Sequence, residues 1–267
     1  MKSTPQESIV GDDTLRQDDV ERVRSLYLDL MERVLCNTIY GDVSVLPNKK
    51  MGTYDPEDRK RGKDWPERAH TMIGLARLRH LRNCVETVLK DGIPGDFIEA
   101  GVWRGGATIM MRAVLKAYGV TDRLVWAADS FCGVPAPNPE KYPKEKGLHF
   151  EVFPRLAVSL EAVKSNFRSY DLLDERVRFV EGLFANTLAG VPAPEFALIR
   201  LDGDLYESTI DSLNALYPRL ARGGFAIVDD YRLIKPCRAA VDDYRGEHGI
   251  EEPIHDIDRN AVYWRKG

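Results

Sequence analysis

From Asp96 onward the chain alternates short apolar runs with amphipathic stretches, and this alternation limits the possible folds more than any other feature. The apolar runs predict strands at residues 96–102, 124–129, 177–181, 196–202, 225–229, 253–257 and 261–264. The stretches between them predict helices at residues 107–118, 155–170, 206–222 and 235–247. Repeated strand-helix alternation is typical of a doubly wound α/β sheet with right-handed crossovers. The last two runs are close enough to form a hairpin, so we expect seven mostly parallel strands with an antiparallel last strand.

Two further helices are predicted ahead of the sheet. Residues 18–36 carry apolar positions three to four residues apart, and residues 66–90 begin with Pro66 at the first helical turn. The intervening residues 40–65 are rich in Gly, Pro and charge and predict a long loop that closes over a ligand or packs on a partner chain.

The chain has no linker-like segment, and we therefore predict one domain. Its parts are a disordered tail at residues 1–17, a helical extension at 18–92 and the α/β core at 93–267.

Composition excludes several classes of protein. The net charge of -4 argues against a dedicated nucleic-acid binder. No run approaches the ~18 apolar residues of a membrane helix, and the first residues lack the apolar centre of a signal peptide, so we expect a cytoplasmic protein that does not associate with membranes. The four cysteines are far apart in the sequence, which predicts reduced thiols without a zinc site.

The segment EAGVWRGG lies where the first predicted strand of the sheet meets its helix. Gly101, Gly105 and Gly106 allow the backbone to turn sharply and to approach a ligand that a Cβ would obstruct. Trp103 stands where a dinucleotide-binding loop has its second glycine, which argues against a bound pyrophosphate. Glu99, near the strand end, suits a cationic group of a ligand.

Asp129 ends the next predicted strand, where a carboxylate can accept hydrogen bonds from ribose hydroxyls. A ribose and a cationic amine without a pyrophosphate describe S-adenosylmethionine better than NAD. The alternative is structural: the glycines permit close packing of strand on helix, and Asp129 caps a turn.

Four carboxylates follow two apolar strands late in the chain, namely Asp202 and Asp204 in LDGDLYEST and Asp229 and Asp230 in AIVDD. Ligands of open α/β sheets bind outside such strand ends. Asp202 and Asp204 would face one side of an extended segment across Gly203. Asp229 and Asp230 can both serve only if the chain turns after Asp229. Oxygen ligands without His or Cys favour magnesium, or manganese or calcium, over zinc. Alternatively, each aspartate caps a turn or a helix.

Together these motifs resemble the macrocin O-methyltransferase family, whose members use a metal and S-adenosylmethionine to methylate deoxysugar hydroxyls on macrolide and aminocoumarin antibiotics. The resemblance runs from LYLDLMERVLCNTIYGD through WPERAHTMIGLARL, GDFIEAGVWRGGAT, VWAADSFCGVP, FVEGLF and IRLDGDLYEST to GGFAIVDDY. It covers most of the chain after residue 25. It implies a Rossmann-like class I methyltransferase fold, S-adenosylmethionine and Mg²⁺ as cofactors, and a role in antibiotic biosynthesis.

The resemblance also implies roles for individual residues. The methionine part of the cofactor would contact Glu99, Gly101, Val102, Trp103, Arg104, Gly105 and Gly106; the ribose would contact Asp129 and Ser130; the adenine side would contact Glu181, Gly182 and Phe184. His70, Thr71 and Met72 would close over the cofactor, and Asp202 would lie beside it. The implied metal ligands are Asp202, Asp229 and Asp230, and the implied general base is Asp204. Without the resemblance, Thr71 and Met72 would be core or cap residues of the predicted helix.

The chemistry explains why such a site needs these groups. Methyl transfer displaces a sulfonium leaving group, and a sugar hydroxyl is a poor nucleophile until it loses its proton. A bound magnesium ion stabilises the developing alkoxide and orients it, and Asp204 would accept the proton.

Residues 133–154 are long for a connection between a strand and a helix and predict a lid over the acceptor. Its candidate contacts with a glycosylated macrocycle or an aromatic aglycone are Tyr142, His149, Phe150 and Phe153. An ordinary surface loop is the alternative for this segment.

Two other functions stay open at this point. A catechol-type aryl O-methyltransferase would use similar metal chemistry. A non-catalytic nucleotide-binding protein of the same fold is disfavoured, because a binding module does not need four carboxylates. In each case we expect a small-molecule ligand and a homodimer or higher homo-oligomer.

Overall fold

The computed structural model describes residues 17–267. Within that range the strands are β1 (Asp96–Ala100), β2 (Val125–Asp129), β3 (Val177–Glu181), β4 (Phe196–Leu201), β5 (Leu220–Val228), β6 (His255–Asp256) and β7 (Val262–Arg265). They form one sheet in the order β3-β2-β1-β4-β5-β7-β6. Strands β1 to β5 are parallel, whereas β7 runs antiparallel to both β5 and β6. The predicted fold class is confirmed.

The helices cover both faces of the sheet. Their bounds are α1 (Gln17–Leu35), α2 (Pro56–Lys60), α3 (Gly74–Lys90), α4 (Gly106–Ala117), α5 (Leu160–Ser169), α6 (Phe184–Thr187), α7 (Tyr206–Leu216) and α8 (Lys235–Glu247). Helices α1, α3, α4 and α5 enclose one hydrophobic core, and α7 and α8 enclose the other. Strand β1 contributes to both, because Phe97 faces the first core and its neighbour Ile98 faces the second.

Strand order reverses between β1 and β4, because the chain proceeds outward on one side through β2 and β3 and on the other through β5. Such a switch point opens a crevice at the carboxyl ends of the strands. The candidate site residues therefore gather at this edge.

No helix within residues 17–267 combines the length and the apolar character needed to cross a membrane. The four cysteines are free, as predicted.

The predicted start of the second helix at Pro66 is wrong, since α3 begins at Gly74. Long-range contacts hold residues 66–73 in an irregular path: Pro66 forms a bridge with Ser44, and the Arg104 guanidinium donates to the Pro66 and Ala69 carbonyls at 3.0 and 2.9 Å. The backbone at Gly74 has a φ of +77°, and a Cβ there would lie 2.3 Å from the Gly62 nitrogen.

The predicted boundary between the 206–222 helix and the following strand is also wrong. Helix α7 ends at Leu216, a single 3₁₀ turn follows, and β5 already begins at Leu220. Pro218 lies in that turn, and a proline cannot donate the amide hydrogen that continues a helix. Helix α5 begins at Leu160 rather than 155, with the Ser159 hydroxyl accepting from the Ala162 amide at 3.3 Å. The predicted tail lies outside the described residues except for Gln17, which begins α1.

Candidate active site

A cavity of about 840 Å³ lies at the carboxyl ends of β1 to β5. The segments after all five strands line it, and so do residues ahead of α3 and parts of the 133–154 segment. Its volume is in the upper part of the range of small-molecule sites. The cavity therefore brings together most of the residues that the sequence singled out.

The glycine loop between β1 and α4 is shaped by its contacts with protein backbone. A Cβ on Gly101 would lie 1.9 Å from the Asp202 carbonyl oxygen, so the loop packs directly on the end of β4. A Cβ on Gly106 would lie 2.4 Å from the His70 carbonyl oxygen, which accepts the Gly106 amide at 2.9 Å. Close packing accounts for both glycines. Gly101, Val102 and Trp103 also line the cavity, whereas Arg104, Gly105 and Gly106 do not.

Asp129 supports this loop with its carboxylate. One oxygen accepts the amides of Val102 and Trp103 at 2.8 and 3.3 Å, and the other accepts the Phe131 amide at 2.8 Å. Burial raises the pKa of Asp129, although these hydrogen bonds oppose the shift. Asp129 and Ser130 line the cavity, so their contact with a ribose stays a prediction alongside the structural role.

Glu99 does not face the cavity as a free anion. Its carboxylate forms an ion pair with Arg200 at 2.6 Å and accepts a short hydrogen bond from the Thr108 hydroxyl. Burial raises the pKa of Glu99 to about 7, against the opposing charge of Arg200. The predicted contact with a cationic ligand would therefore compete with Arg200.

Three carboxylates meet where β4 and β5 end. One oxygen from each of Asp202, Asp229 and Asp230 lies within 4.8 Å of the others. The chain does turn after β5, because the Leu233 and Ile234 amides donate to the Asp230 carbonyl oxygen at 3.0 and 2.8 Å. This turn lets Asp229 and Asp230 line the same cavity. The structure therefore meets the condition from the sequence analysis that the chain must turn after Asp229 for both aspartates to serve.

Asp204 lines the cavity because of a backbone conformation that the sequence did not predict. The segment after β4 is a tight turn, not an extended strand, with the Leu205 amide donating to the Gly203 carbonyl oxygen at 2.6 Å. Asp204 has a φ of +60°, a left-handed conformation that is uncommon outside glycine and turns. The alternation argument that placed Asp202 and Asp204 on one side is therefore wrong, yet both line the cavity.

Burial and mutual repulsion dominate the electrostatics of this cluster. Burial, followed by the charges of Asp202 and Asp229, raises the pKa of Asp204 to about 8. Burial also raises the pKa of Asp202, and that of Asp230 lies well above its ordinary range. The Oδ2 atom of Asp230 is buried without a hydrogen-bond partner. A divalent cation would supply that partner and remove the repulsion, so these residues fit a hard metal such as Mg²⁺.

Two buried arginines complete the cluster, and the sequence reading missed both. Arg200 in β4 contacts Asp202 at 2.9 Å and Asp229 at 2.5 Å, and Arg77 in α3 forms a short ion pair with Asp229. Arg77 also contacts Asp258 at 3.1 Å. The strand FALIRL offered a signal for Arg200, since a lone charge inside a buried strand needs a charged partner. Arg77 offered no comparable signal.

Of the residues predicted to close over the cofactor or to lie beside its adenine, most line the cavity and one does not. Thr71 and Met72 line the cavity from the loop ahead of α3, and His70 lines it while its ring contacts the Tyr170 hydroxyl at 2.6 Å. Gly182 and Phe184 line it after β3. Glu181 is exposed and lies outside the lining.

The 133–154 segment folds over the cavity in short helical turns and is anchored at its middle and just beyond its end. Glu145 is fully buried and accepts the amides of Asn138 and Glu207, both at 2.8 Å, which joins the segment to the start of α7. Just beyond its end, the Trp103 indole donates to the Arg155 carbonyl at 2.9 Å. We call residues 133–154 the lid.

Of the four predicted lid contacts, only Phe150 lines the cavity. Tyr142 packs against Tyr206, Phe153 packs edge-on against Trp65, and His149 is exposed beside Glu151. The lid residues that line the cavity besides Phe150 are Gly133, Val134, Pro135, Lys144, Lys146 and Leu148. Aromatic character alone was a poor guide, because aromatic side chains also anchor a loop to its surroundings.

Comparison with known proteins covers nearly the whole chain. Residues 24–266 match the family described as macrocin-O-methyltransferase. The chain is 54% identical over 247 residues to the 8-demethyl-8-(2,3-dimethoxy-alpha-L-rhamnosyl)-tetracenomycin-C 4'-O-methyltransferase of Streptomyces olivaceus, covering 92% of this chain and 94% of that one. It is 50% identical over 246 residues to the demethyldecarbamoylnovobiocin O-methyltransferase of Streptomyces niveus, covering 91% and 94%. The mycinamicin III 3''-O-methyltransferase of Micromonospora griseorubida is 47% identical over 90% of this chain and 96% of its own.

Solved structures agree with the sequence relatives. The O-methyltransferase NovP superposes with a TM-score of 0.87 at 49% identity and covers 91% of this chain and 99% of its own. The calicheamicin methyltransferase CalS11 superposes with a TM-score of 0.58 at 20% identity, which supports the fold alone.

Proposed function

The chain belongs to the macrocin-O-methyltransferase family, and we propose that this O-methyltransferase uses Mg²⁺ to methylate a deoxysugar hydroxyl of a glycosylated antibiotic. The observation that carries the proposal is the meeting of Asp202, Asp229 and Asp230 in the cavity that the glycine loop and Asp204 also line. The relatives support the acceptor class, since they are named for a rhamnosyl tetracenomycin, a novobiocin precursor and a mycinamicin.

The methyltransferase fold implies S-adenosylmethionine as the methyl donor. We propose that the donor occupies the part of the cavity at the ends of β1, β2 and β3. Val102, Trp103 and Asp129 would contact its methionine and ribose parts, and Gly182 and Phe184 would lie beside the adenine. Thr71 and Met72 would cover it from the loop ahead of α3.

We propose that Asp202, Asp229 and Asp230 hold the metal. When bound, Mg²⁺ supplies a positive charge that stabilises the deprotonated form of an acceptor hydroxyl and orients it. Arg200 positions Asp202 and Asp229 through direct ion pairs, and Arg77 fixes Asp229 from the opposite side. The unpartnered Asp230 Oδ2 supports this assignment, because a buried carboxylate oxygen without a partner is costly.

Asp204 is the proposed general base. The acceptor oxygen attacks the methyl carbon of the donor, the bond from that carbon to sulfur breaks, and S-adenosylhomocysteine is the leaving product. The proton of the acceptor hydroxyl passes to Asp204 and then to solvent. Burial and the neighbouring carboxylates raise the pKa of Asp204 to about 8 in the metal-free cluster, and the charge of a bound Mg²⁺ would favour the deprotonated form that accepts a proton.

A mass-spectrometric methyl-transfer screen tests the proposal. The acceptors are demethylated macrolides, aminocoumarins and tetracenomycin rhamnosides, each assayed beside its sugar-free aglycone and beside simple catechols. We expect one methyl group on the sugar of a glycoside, lost in excess EDTA and restored by Mg²⁺. Methylation of catechols or aglycones alone would instead favour the aryl O-methyltransferase alternative, and full turnover in EDTA would refute the metal role.

A further inference from the structure

Besides Lys144 and the two arginines of the carboxylate cluster, four lysine and arginine side chains line the cavity. They are Lys63, Lys146, Lys235 and Arg259. The donor and metal roles proposed above use none of them. They are therefore candidates for contact with the acceptor, which would occupy the rest of the cavity.

The four cations come from four separate segments of the fold. Lys63 follows α2, Lys146 lies in the lid, Lys235 is the first residue of α8, and Arg259 lies between β6 and β7. Neighbours on one helix or strand would share a surface by necessity, but these residues line one cavity only because the tertiary fold brings their segments there. The chain has a net charge of -4, so a general excess of basic residues does not explain the cluster.

The charged groups of all four side chains lack a hydrogen bond or ion pair with any other residue of the described part of the chain. The nearest acidic neighbours in sequence are already engaged: Asp64 pairs with Arg59 at 2.9 Å, and Asp258 pairs with Arg77 at 3.1 Å. Lys144 differs, because it also lines the cavity but pairs with Asp243. The four cations are thus available to a ligand.

Apolar side chains line the cavity with these cations. They include Leu46, Trp65, Leu148, Phe150, Leu233 and Ile234. A surface of this composition suits an anion carried on an apolar or aromatic body better than a bare inorganic ion, because both parts of such a ligand find complementary groups.

We propose that the acceptor carries an anionic group, which Lys63, Lys146, Lys235 and Arg259 bind while the sugar faces the carboxylates. This inference deepens the proposed function and rests on it. The anion has two possible sources, an acidic aglycone or the diphosphate of a nucleotide-activated sugar. Both present negative charge to the same cations, and a binding experiment separates them.

The test uses sugar-free probes, so that it does not depend on sugar methylation. Ligand-observed NMR measures the affinity of 2-naphthoate and of its neutral analogue 2-naphthamide for the protein saturated with S-adenosylhomocysteine and Mg²⁺. A second pair, thymidine diphosphate and thymidine, represents the nucleotide source. Several exposed ion pairs acting together should favour the anion by about tenfold, and added salt should reduce the preference.

The variants replace the cations with neutral residues. The fourfold variant Lys63→Gln, Lys146→Gln, Lys235→Gln and Arg259→Gln should bind both members of each pair equally while keeping its affinity for S-adenosylhomocysteine. Lys141→Gln is the matched control, since Lys141 lies on the lid, pairs with Glu207 at 3.0 Å and does not line the cavity. Should the fourfold variant not fold, each single variant is expected to lower the preference by about twofold.

Preference for naphthoate assigns the anion to the aglycone. Preference for thymidine diphosphate alone assigns it to an activated sugar, which would replace the glycosylated antibiotic as the acceptor while the anion site stands. Equal binding of charged and neutral probes by the unaltered protein would overturn the proposal. So would an anion preference that survives in the fourfold variant, or one that is undiminished in every single variant. If the preference is present but no glycoside is methylated in the screen, the proposed function fails while the anion site stands.

Discussion

The two halves of the cavity lie on the same edge of one sheet, but their acidic side chains differ in whether they have hydrogen-bond or ion-pair partners. Where β1 and β2 end, the acidic groups are satisfied: Asp129 accepts three backbone amides, and Glu99 is held by Arg200 and Thr108. Where β4 and β5 end, Asp204 and Asp230 pair with no basic side chain within residues 17–267, and one Asp230 oxygen has no partner.

We interpret the first half as a frame for the donor and the second half as the proposed reaction centre. Asp129 fixes the backbone of the glycine loop, which would give the donor a preformed surface. Unsatisfied carboxylates raise one another's pKa and destabilise the empty cluster, which favours binding of a cation and uptake of a proton. The comparison predicts that substitutions in the two halves will affect different measured quantities.

The largest expected effect is on turnover in Asp204→Asn. We expect a loss of roughly 10²–10⁴-fold, the usual contribution of a general base, with metal and donor affinities nearly intact. Single-turnover kinetics and calorimetry measure these quantities separately. Recovery of activity at high magnesium would contradict the assignment, because it would make Asp204 a metal ligand.

Within the cluster, Asp229 and Asp230 should respond oppositely in stability. Asp229→Asn removes one carboxylate partner from each of two buried arginines and should lower the free energy of unfolding by at most about 3–5 kcal/mol, because both arginines keep other carboxylate partners. Asp230→Asn removes a repelled charge and should leave the metal-free protein equally or more stable. Urea denaturation in the presence of EDTA measures both variants. Equal losses in the two would mean that Asp230 is satisfied in the same way as Asp229.

In the donor half, Gly101→Ala should disturb the packing of the glycine loop on the end of β4. The new Cβ would meet the Asp202 carbonyl oxygen, and the backbone has a φ of +93°. Gly119→Ala is the control, with a φ of +67° and open space around the Cβ. We expect backbone strain to lower the free energy of unfolding of the control by about 1–2 kcal/mol. Gly101→Ala should lose about 1–3 kcal/mol more and should also bind the donor more weakly. Equal thermal denaturation profiles of the two variants would argue against close packing at Gly101.

The smallest expected effect concerns the lid. Glu145→Ala removes the acceptor of the Glu207 amide, which holds the lid on α7, and of the Asn138 amide within the lid, and should raise the acceptor KM by about tenfold. The affinity for S-adenosylhomocysteine should stay constant, because the proposed donor position is at the ends of β1, β2 and β3. Glu151→Ala, an exposed change on the same lid, is the control. A parallel loss of donor affinity in Glu145→Ala would assign the lid to the fold as a whole.

The sequence predicted the strands more accurately than the helix starts. Buried parallel strands are apolar throughout, so the strand FALIRL is recognisable locally apart from its single arginine. The start of α3 depends instead on contacts with Arg104, Ser44 and Gly62, which are distant in sequence. The α7 boundary was predictable, since Pro218 marks it.

The site was predictable in its composition but only partly in its contacts. Asp202, Asp229 and Asp230 came from their positions at strand ends, a rule that depends on topology alone. Their arginine partners could not be placed, because Arg77 reaches the cluster from a helix outside the sheet. The lid residues were assigned by residue type, and only the folded segment distinguishes Phe150 in the cavity from Tyr142 against α7.

Calorimetric titration of Mg²⁺ into chelator-treated protein holding S-adenosylhomocysteine tests the central claim most directly. We predict one bound ion per chain, an affinity at least about tenfold weaker in Asp230→Asn, and an unchanged affinity in Asp129→Asn, whose carboxylate is already satisfied by backbone amides. The absence of Mg²⁺ binding to the unaltered protein, or equal affinities in it and in Asp230→Asn, would contradict the account.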